Sequence, residues 1–241
     1  MKILLLAVIA VMYAVQAYAY PVTAPEGKTL KVHWAVLEAK TDRMSEMAAI
    51  SARTVAKYTP NESGSYSLYG GIDSDNPDRM LILEIYEDEA AYQVHRNSEG
   101  FKAFVAEREP ILEQLMILPV DPVVLEQKAQ GIGHVVTMSM FGIKPESLDG
   151  YKALIAAEMS RAVRDDAGVL GLFATAEQGD RNNVIHIMGI YADEDSYKEY
   201  ISSAQYQEFV SKTDLMINTR HHINTLPANI ILSGKGLHLD D

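Results

Sequence analysis

Glu84 and His95 are the ionisable residues of this chain whose types and spacing best suit proton transfer. Glu84 stands in the apolar string Leu81-Ile82-Leu83-Glu84-Ile85-Tyr86, and His95 follows in a helical segment. On a strand, side chains alternate between faces, so Ile82, Glu84 and Tyr86 share one face and Leu81, Leu83 and Ile85 the other. The wholly apolar face suits packing against a second sheet. The face with Glu84 and Tyr86 then looks toward helices, and His95 could reach the same space. A histidine or a buried glutamate there can serve as a general base. Each residue also has a plainer reading. Glu84 can be paired with a backbone amide or a basic neighbour, and Tyr86 can be packing. Trp34, the only tryptophan, stands in the first strand of this unit, where it is core or a binding wall.

Other chemistry finds less to stand on. The absence of cysteine closes thiol catalysis, thiolate metal sites and lipid attachment at cysteine. No G-x-G-x-x-G follows a strand, and neither a P-loop nor a G-x-S-x-G elbow occurs. His221 and His222 are adjacent, so on a strand they face opposite ways, which suits a loop or strand edge better than a metal site. His186 falls on the strand face opposite Gly189 and Tyr191, the face expected in the seam between sheets. With 33 acidic and 21 basic residues, the net charge of −12 repels phosphate backbones, so nucleic acid is not an expected partner.

The elements that must position these residues occur twice. The string Tyr86-Glu87-Asp88-Glu89-Ala90-Ala91-Tyr92, continuing to Ser98, Phe101, Phe104 and Val105, aligns without a gap onto a second one. That is Tyr191-Ala192-Asp193-Glu194-Asp195-Ser196-Tyr197, continuing to Ser203, Tyr206, Phe209 and Val210. Strands are expected over 32–39 and 134–141. Each precedes a helix with apolar residues three and four apart, Met44 to Tyr58 and Leu148 to Ala162, with Asp42 as a cap and Pro145 in a first turn. Hairpin strands follow over 65–71 and 80–86, and over 169–175 and 184–191. Helical segments open near Asp88 and Ser98, and near Asp193 and Ser203. A last strand, 123–127 or 230–233, closes each unit. The order β-α-β-β-α-β is an α+β, ferredoxin-like fold, giving domains 28–129 and 132–236 with Gly131-Ile132-Gly133 between them. The ionisable pair is not repeated: Gly189 stands for Glu84 and Tyr200 for His95.

Lys2, the apolar run 3–15 and Ala17-Tyr18-Ala19 have the form of a signal peptide over 1–19. The run is shorter than the ~20 residues that span a bilayer. The protein is therefore expected to be exported, periplasmic or secreted, without stable membrane insertion after cleavage.

The string Glu84-Ile85-Tyr86-Glu87-Asp88-Glu89-Ala90-Ala91-Tyr92, with His95, Ser98, Phe101 and Phe104, closely resembles the antibiotic biosynthesis monooxygenase family. The resemblance covers nearly all of the mature chain, once per copy. It implies ferredoxin-like domains whose sheets pair into a dimeric α+β barrel, here formed within one chain, with a pocket between each sheet and its own helices. Many members are similar to quinol or polyketide monooxygenases that use oxygen without metal, haem or flavin. Others look like haem-degrading oxygenases or isomerases. The haem-degrading branch carries tryptophan at the position of Tyr86 and histidine at that of Phe104, and neither copy has them. The resemblance thus implies a cofactor-independent monooxygenase for a small aromatic or quinol-like compound, with no metal and room for homo-oligomers, and residues 1–19 mark it as exported. Glu84 and His95 are the expected catalytic residues, Tyr86 and Trp34 the expected substrate contacts, at a cavity in the first copy. Two readings stay open beside it: a non-catalytic small-molecule-binding protein, favoured by Gly189 and Tyr200, and an isomerase-type enzyme on the same scaffold.

Overall fold

The computed structural model describes residues 19–224 and 237–239. A short strand β1 (Ala19–Pro21) leads into the first copy. This contains β2 (Lys31–Ala39), helix α1 (Met44–Ser51), the hairpin β3 (Ser65–Ile72) and β4 (Arg79–Tyr86), helices α2 (Glu89–Asn97) and α3 (Glu99–Arg108), and β5 (Leu112–Lys128). After β6 (Gly131–Gly133) the second copy repeats the order. It has β7 (Val135–Ile143), α4 (Leu148–Asp165), β8 (Val169–Glu177), β9 (Val184–Tyr191), α5 (Glu194–Ser202), α6 (Ala204–Thr213) and β10 (Ile217–Asn224). The segment expected to be a plain linker, 131–133, is β6, which pairs in parallel with β11 (Leu237–Leu239).

The helix starts follow from local chemistry. Asp88 and Asp193 accept hydrogen bonds from the amides of Ala91 and Ser196, and Ser98 and Ser203 from those of Phe101 and Tyr206. Each satisfies an amide the first helical turn leaves open. Asp42 does not cap α1 as expected. It sits at φ 61°, its amide donates to Asp78 Oδ1, and Arg43 takes the capping position without a side-chain bond.

The sheet runs β10-β7-β9-β8-β5-β2-β4-β3, so each copy has the ferredoxin-like order and β5 belongs to both. Residues 112–119 of β5 pair with β2, and residues 120–127 pair with β8. This strand is longer than the expected 123–127. Pro119 and Pro122 stand close to where the ladder passes from one partner to the next, and the register slips between Pro122 and Val124. The other expected closing strand, 230–233, and the signal-peptide residues 1–18 lie outside the described residues. No helix among the described residues is long and apolar enough to cross a membrane.

The inner faces of the two half-sheets share one core. Trp34, Tyr69, Leu83 and Ile85 of the first copy pack with Met138, Phe173, Met188 and Ile190 of the second. Trp34 Nε1–H donates to Thr175 Oγ1 at 3.0 Å across this seam, and the rings of Tyr69 and Phe173 lie 5.4 Å apart. The chain is an intrachain pseudo-dimeric α+β barrel, with a sheet–helix layer on the outside of each half.

Candidate functional site

Strand alternation places the residues as their pattern implies: Leu81, Leu83 and Ile85 enter the shared core, while Ile82 and Tyr86 face the first copy's helices. Glu84 is buried on that same helix side, 9% exposed. Its Oε2 accepts from the Tyr86 hydroxyl at 2.6 Å. His33 Nε2 lies 3.0 Å from the same oxygen, but at an angle that makes no hydrogen bond, so both nitrogens of this buried ring lack a hydrogen-bond partner. Burial pushes the Glu84 carboxyl up, yet His33, the Tyr86 hydroxyl and His95 together outweigh it and hold the group below the ordinary value. The Tyr86 phenol is driven the other way, well above its usual range, by burial and by the Glu84 charge.

His95, 1% exposed, is held by a carboxylate that the sequence reading did not single out. Its Nδ1 is 2.7 Å from Glu62 Oε2. Burial raises the Glu62 carboxyl, but His95, Ser65 and Ser98 bring it below the ordinary value. The His95 ring packs between Tyr86 and Phe101, at 5.4 and 5.0 Å between centroids. Glu84, Tyr86 and His95 thus come together, in a closely packed polar cluster. Trp34 is not with them: it points into the seam, near His186, whose Nε2 meets Glu177 at 2.9 Å.

The cavity lies in the other half. About 240 Å³ opens between the second copy's sheet and helices, and neither Glu84 nor His95 lines it. Its wall is aromatic, with Tyr151, Tyr191, Tyr197, Tyr200, Tyr206 and Phe209. Burial pushes the phenols of Tyr151, Tyr191 and Tyr200 well above their usual range, so they stay protonated and act as donors. One edge is polar and comes from β7 and β10: Thr137, Ser139, Arg220 and His222. Glu158 of α4 also faces the space, but Arg161 binds both its oxygens, at 2.8 and 3.1 Å.

Strand registers explain the difference. His33 faces Glu84 across β2 and β4, and Thr137 faces Gly189 across β7 and β9. Gly189 makes room. A Cβ there would lie 2.5 Å from the Tyr191 hydroxyl oxygen and 2.7 Å from its ring, so this tyrosine lies over the glycine, in the place where Glu84 stands in the first copy. On the closing strands, Leu115 and Ile117 occupy the places of Arg220 and His222. His221 and His222 do face opposite ways: His222 lines the cavity, and His221 a groove along the seam. Sequence reading missed His222 as a site residue because β10 was not foreseen. Once residues 217–224 are known to be a strand, period-two alternation puts Arg220 and His222 on one face. Among the described residues, no group of three or more His, Asp or Glu is placed to hold a metal.

Residues 32–107 match the model of the antibiotic biosynthesis monooxygenase family. Among solved structures, a monooxygenase candidate from Lactobacillus acidophilus is 18% identical, with a TM-score of 0.79, and the match covers 87% of this chain and 98% of that one. Another from Fusobacterium nucleatum is 20% identical, with a TM-score of 0.77, covering 86% and 96%. An anthrone oxidase-like protein shares the fold more distantly, at 11% identity and a TM-score of 0.52 over 89% and 99%. No curated protein sequence matches the chain. At these identities the structures speak for the fold, and they do so over both copies. The first copy thus matches the antibiotic biosynthesis monooxygenase family model, and the chain builds two tandem copies of the fold that these solved structures share.

Proposed function

We propose that the protein is an exported, cofactor-independent monooxygenase that binds a small aromatic, quinol-like compound in the second copy's cavity. The observation that carries the reading is the cavity wall, where phenol and phenyl rings surround about 240 Å³ and one edge offers hydroxyl, imidazole and guanidinium groups. Such a space takes a planar ring and leaves its oxygen at the polar edge. With oxygen as oxidant, a hydroquinone would gain one oxygen atom on the ring, the other leaving as water with two hydrogens. The replaced haem-branch positions, Tyr86 and Phe104, and the missing nucleotide motifs favour chemistry without a cofactor.

Oxygen uptake with simple hydroquinones tests the reading, with Gly189→Val and His95→Ala as the informative pair. Loss of uptake and of ligand binding in Gly189→Val, with near-normal values in His95→Ala, supports the second-copy site. A loss of ~10²–10⁴-fold confined to His95→Ala restores the first copy as the place of catalysis. A non-catalytic binding protein is the alternative, favoured because the Glu84–His95 cluster lies apart from the cavity; ligand binding without any oxygen uptake would establish it. Export rests on residues 1–19, and mature protein from the native host should begin near Tyr20.

A further inference from the structure

If the second copy's cavity receives a phenolic ring, something on its wall must take the ring's proton before oxygen can accept electrons from it. The tyrosines cannot do so while burial keeps them protonated. Glu158 has both oxygens committed to Arg161. Asp214, at the rim, accepts from Arg220 at 2.7 Å. His222 remains. It stands on β10 directly across from Ser139 of β7, and its Nδ1 is 3.0 Å from Ser139 Oγ. Phe141 meets its ring edge-on at 5.6 Å. The other ring nitrogen, Nε2, makes no hydrogen bond or ion pair among the described residues. With Nδ1–H donated to Ser139, Nε2 carries the lone pair, which is the tautomer a base needs.

We infer that His222 is the catalytic base of the second-copy cavity, taking the phenolic proton of a bound aromatic on Nε2, and that Ser139 is the residue positioning its ring. This inference rests on the reading of the cavity as an aromatic-substrate site. In the step the substrate O–H bond breaks and an N–H bond forms, leaving phenolate beside imidazolium. Arg220, two residues away on the same face and paired with Asp214, flanks the product anion. Glu158, on α4 across the cavity, is neutralised by Arg161.

The test uses 4-nitrophenol, whose phenolate absorbs visible light and whose phenol form does not, so proton transfer is read without turnover. Bound to the full chain, the probe should ionise at a lower pH than in water, by roughly tenfold or more in its ionisation constant. His222→Gln should abolish that shift and keep affinity for the phenol form, read well below the pH at which the free probe ionises, within about threefold, while Ser139→Ala should reduce the shift. His222 is exposed on its strand, so unchanged thermal unfolding of the variant is the expected control result. A shift that survives His222→Gln, or one that disappears only with Arg220→Gln, overturns the inference and leaves the cavity as the ligand site. Failure of the probe to bind, or binding untouched by Gly189→Val, overturns the reading of the cavity itself, and the inference with it.

Discussion

The two sheet–helix layers are built on the same element order and the same pair of helix caps, an aspartate and a serine, yet they hold opposite contents. In the first, His33, Glu84, Tyr86, Glu62 and His95 fill the space with a polar cluster. In the second, Thr137, Gly189, Tyr191 and Tyr200 stand at the places of His33, Glu84, Tyr86 and His95, and an aromatic cavity opens. Duplication allowed this division. A layer that keeps buried charges must pair them, which closes it. A layer that gives them up for a glycine and tyrosines can remain open.

The largest effect should come from breaking the first layer. Glu84→Ala leaves the His33 ring and the Tyr86 hydroxyl buried without their shared carboxylate. The expected loss is about 3–5 kcal/mol in urea unfolding, with ligand affinity of the remaining folded protein unchanged. Acid should probe the same layer. The Glu62 and Glu84 carboxyls are held below their ordinary value in the fold, so they bind protons less readily folded than unfolded. The stability they add is full above the ordinary value of 4.5 and is lost as pH falls through the folded values. Unfolding midpoints between pH 7 and pH 3 should fall more steeply in the wild type than in Glu62→Gln.

Gly189→Val reverses the comparison, because the new side chain displaces the Tyr191 ring. We expect a loss of about 1–3 kcal/mol and tenfold or weaker binding of a small phenol. The corresponding helix caps should behave alike in both copies. Asp88→Ala and Asp193→Ala should each lower the thermal unfolding midpoint modestly and by similar amounts, since each removes one cap bond of the same kind.

Much of this architecture was legible residue by residue. The alternation of 81–86 sorted core from layer, and Asp88, Ser98, Asp193 and Ser203 announced their helices. The contents of the layers were less legible. Strand β10 reads Ile-Asn-Thr-Arg-His-His-Ile-Asn, with too few apolar residues to stand out, so Arg220 and His222 had no face to be assigned to. Gly189 read as a lost carboxylate, whereas its meaning is steric and depends on where the ring of Tyr191 folds. Glu62 lies 33 positions from His95 in a turn, where spacing alone links nothing to it.

The most direct test of the division between halves is a crystal structure with hydroquinone or 4-nitrophenol at saturating concentration. The account predicts the ring between Tyr151, Tyr191 and Tyr200 with its oxygen toward His222, and the first copy's His33–Glu84–Tyr86–His95 cluster unmoved. A ring seated in the first layer, or an empty second cavity, would contradict it.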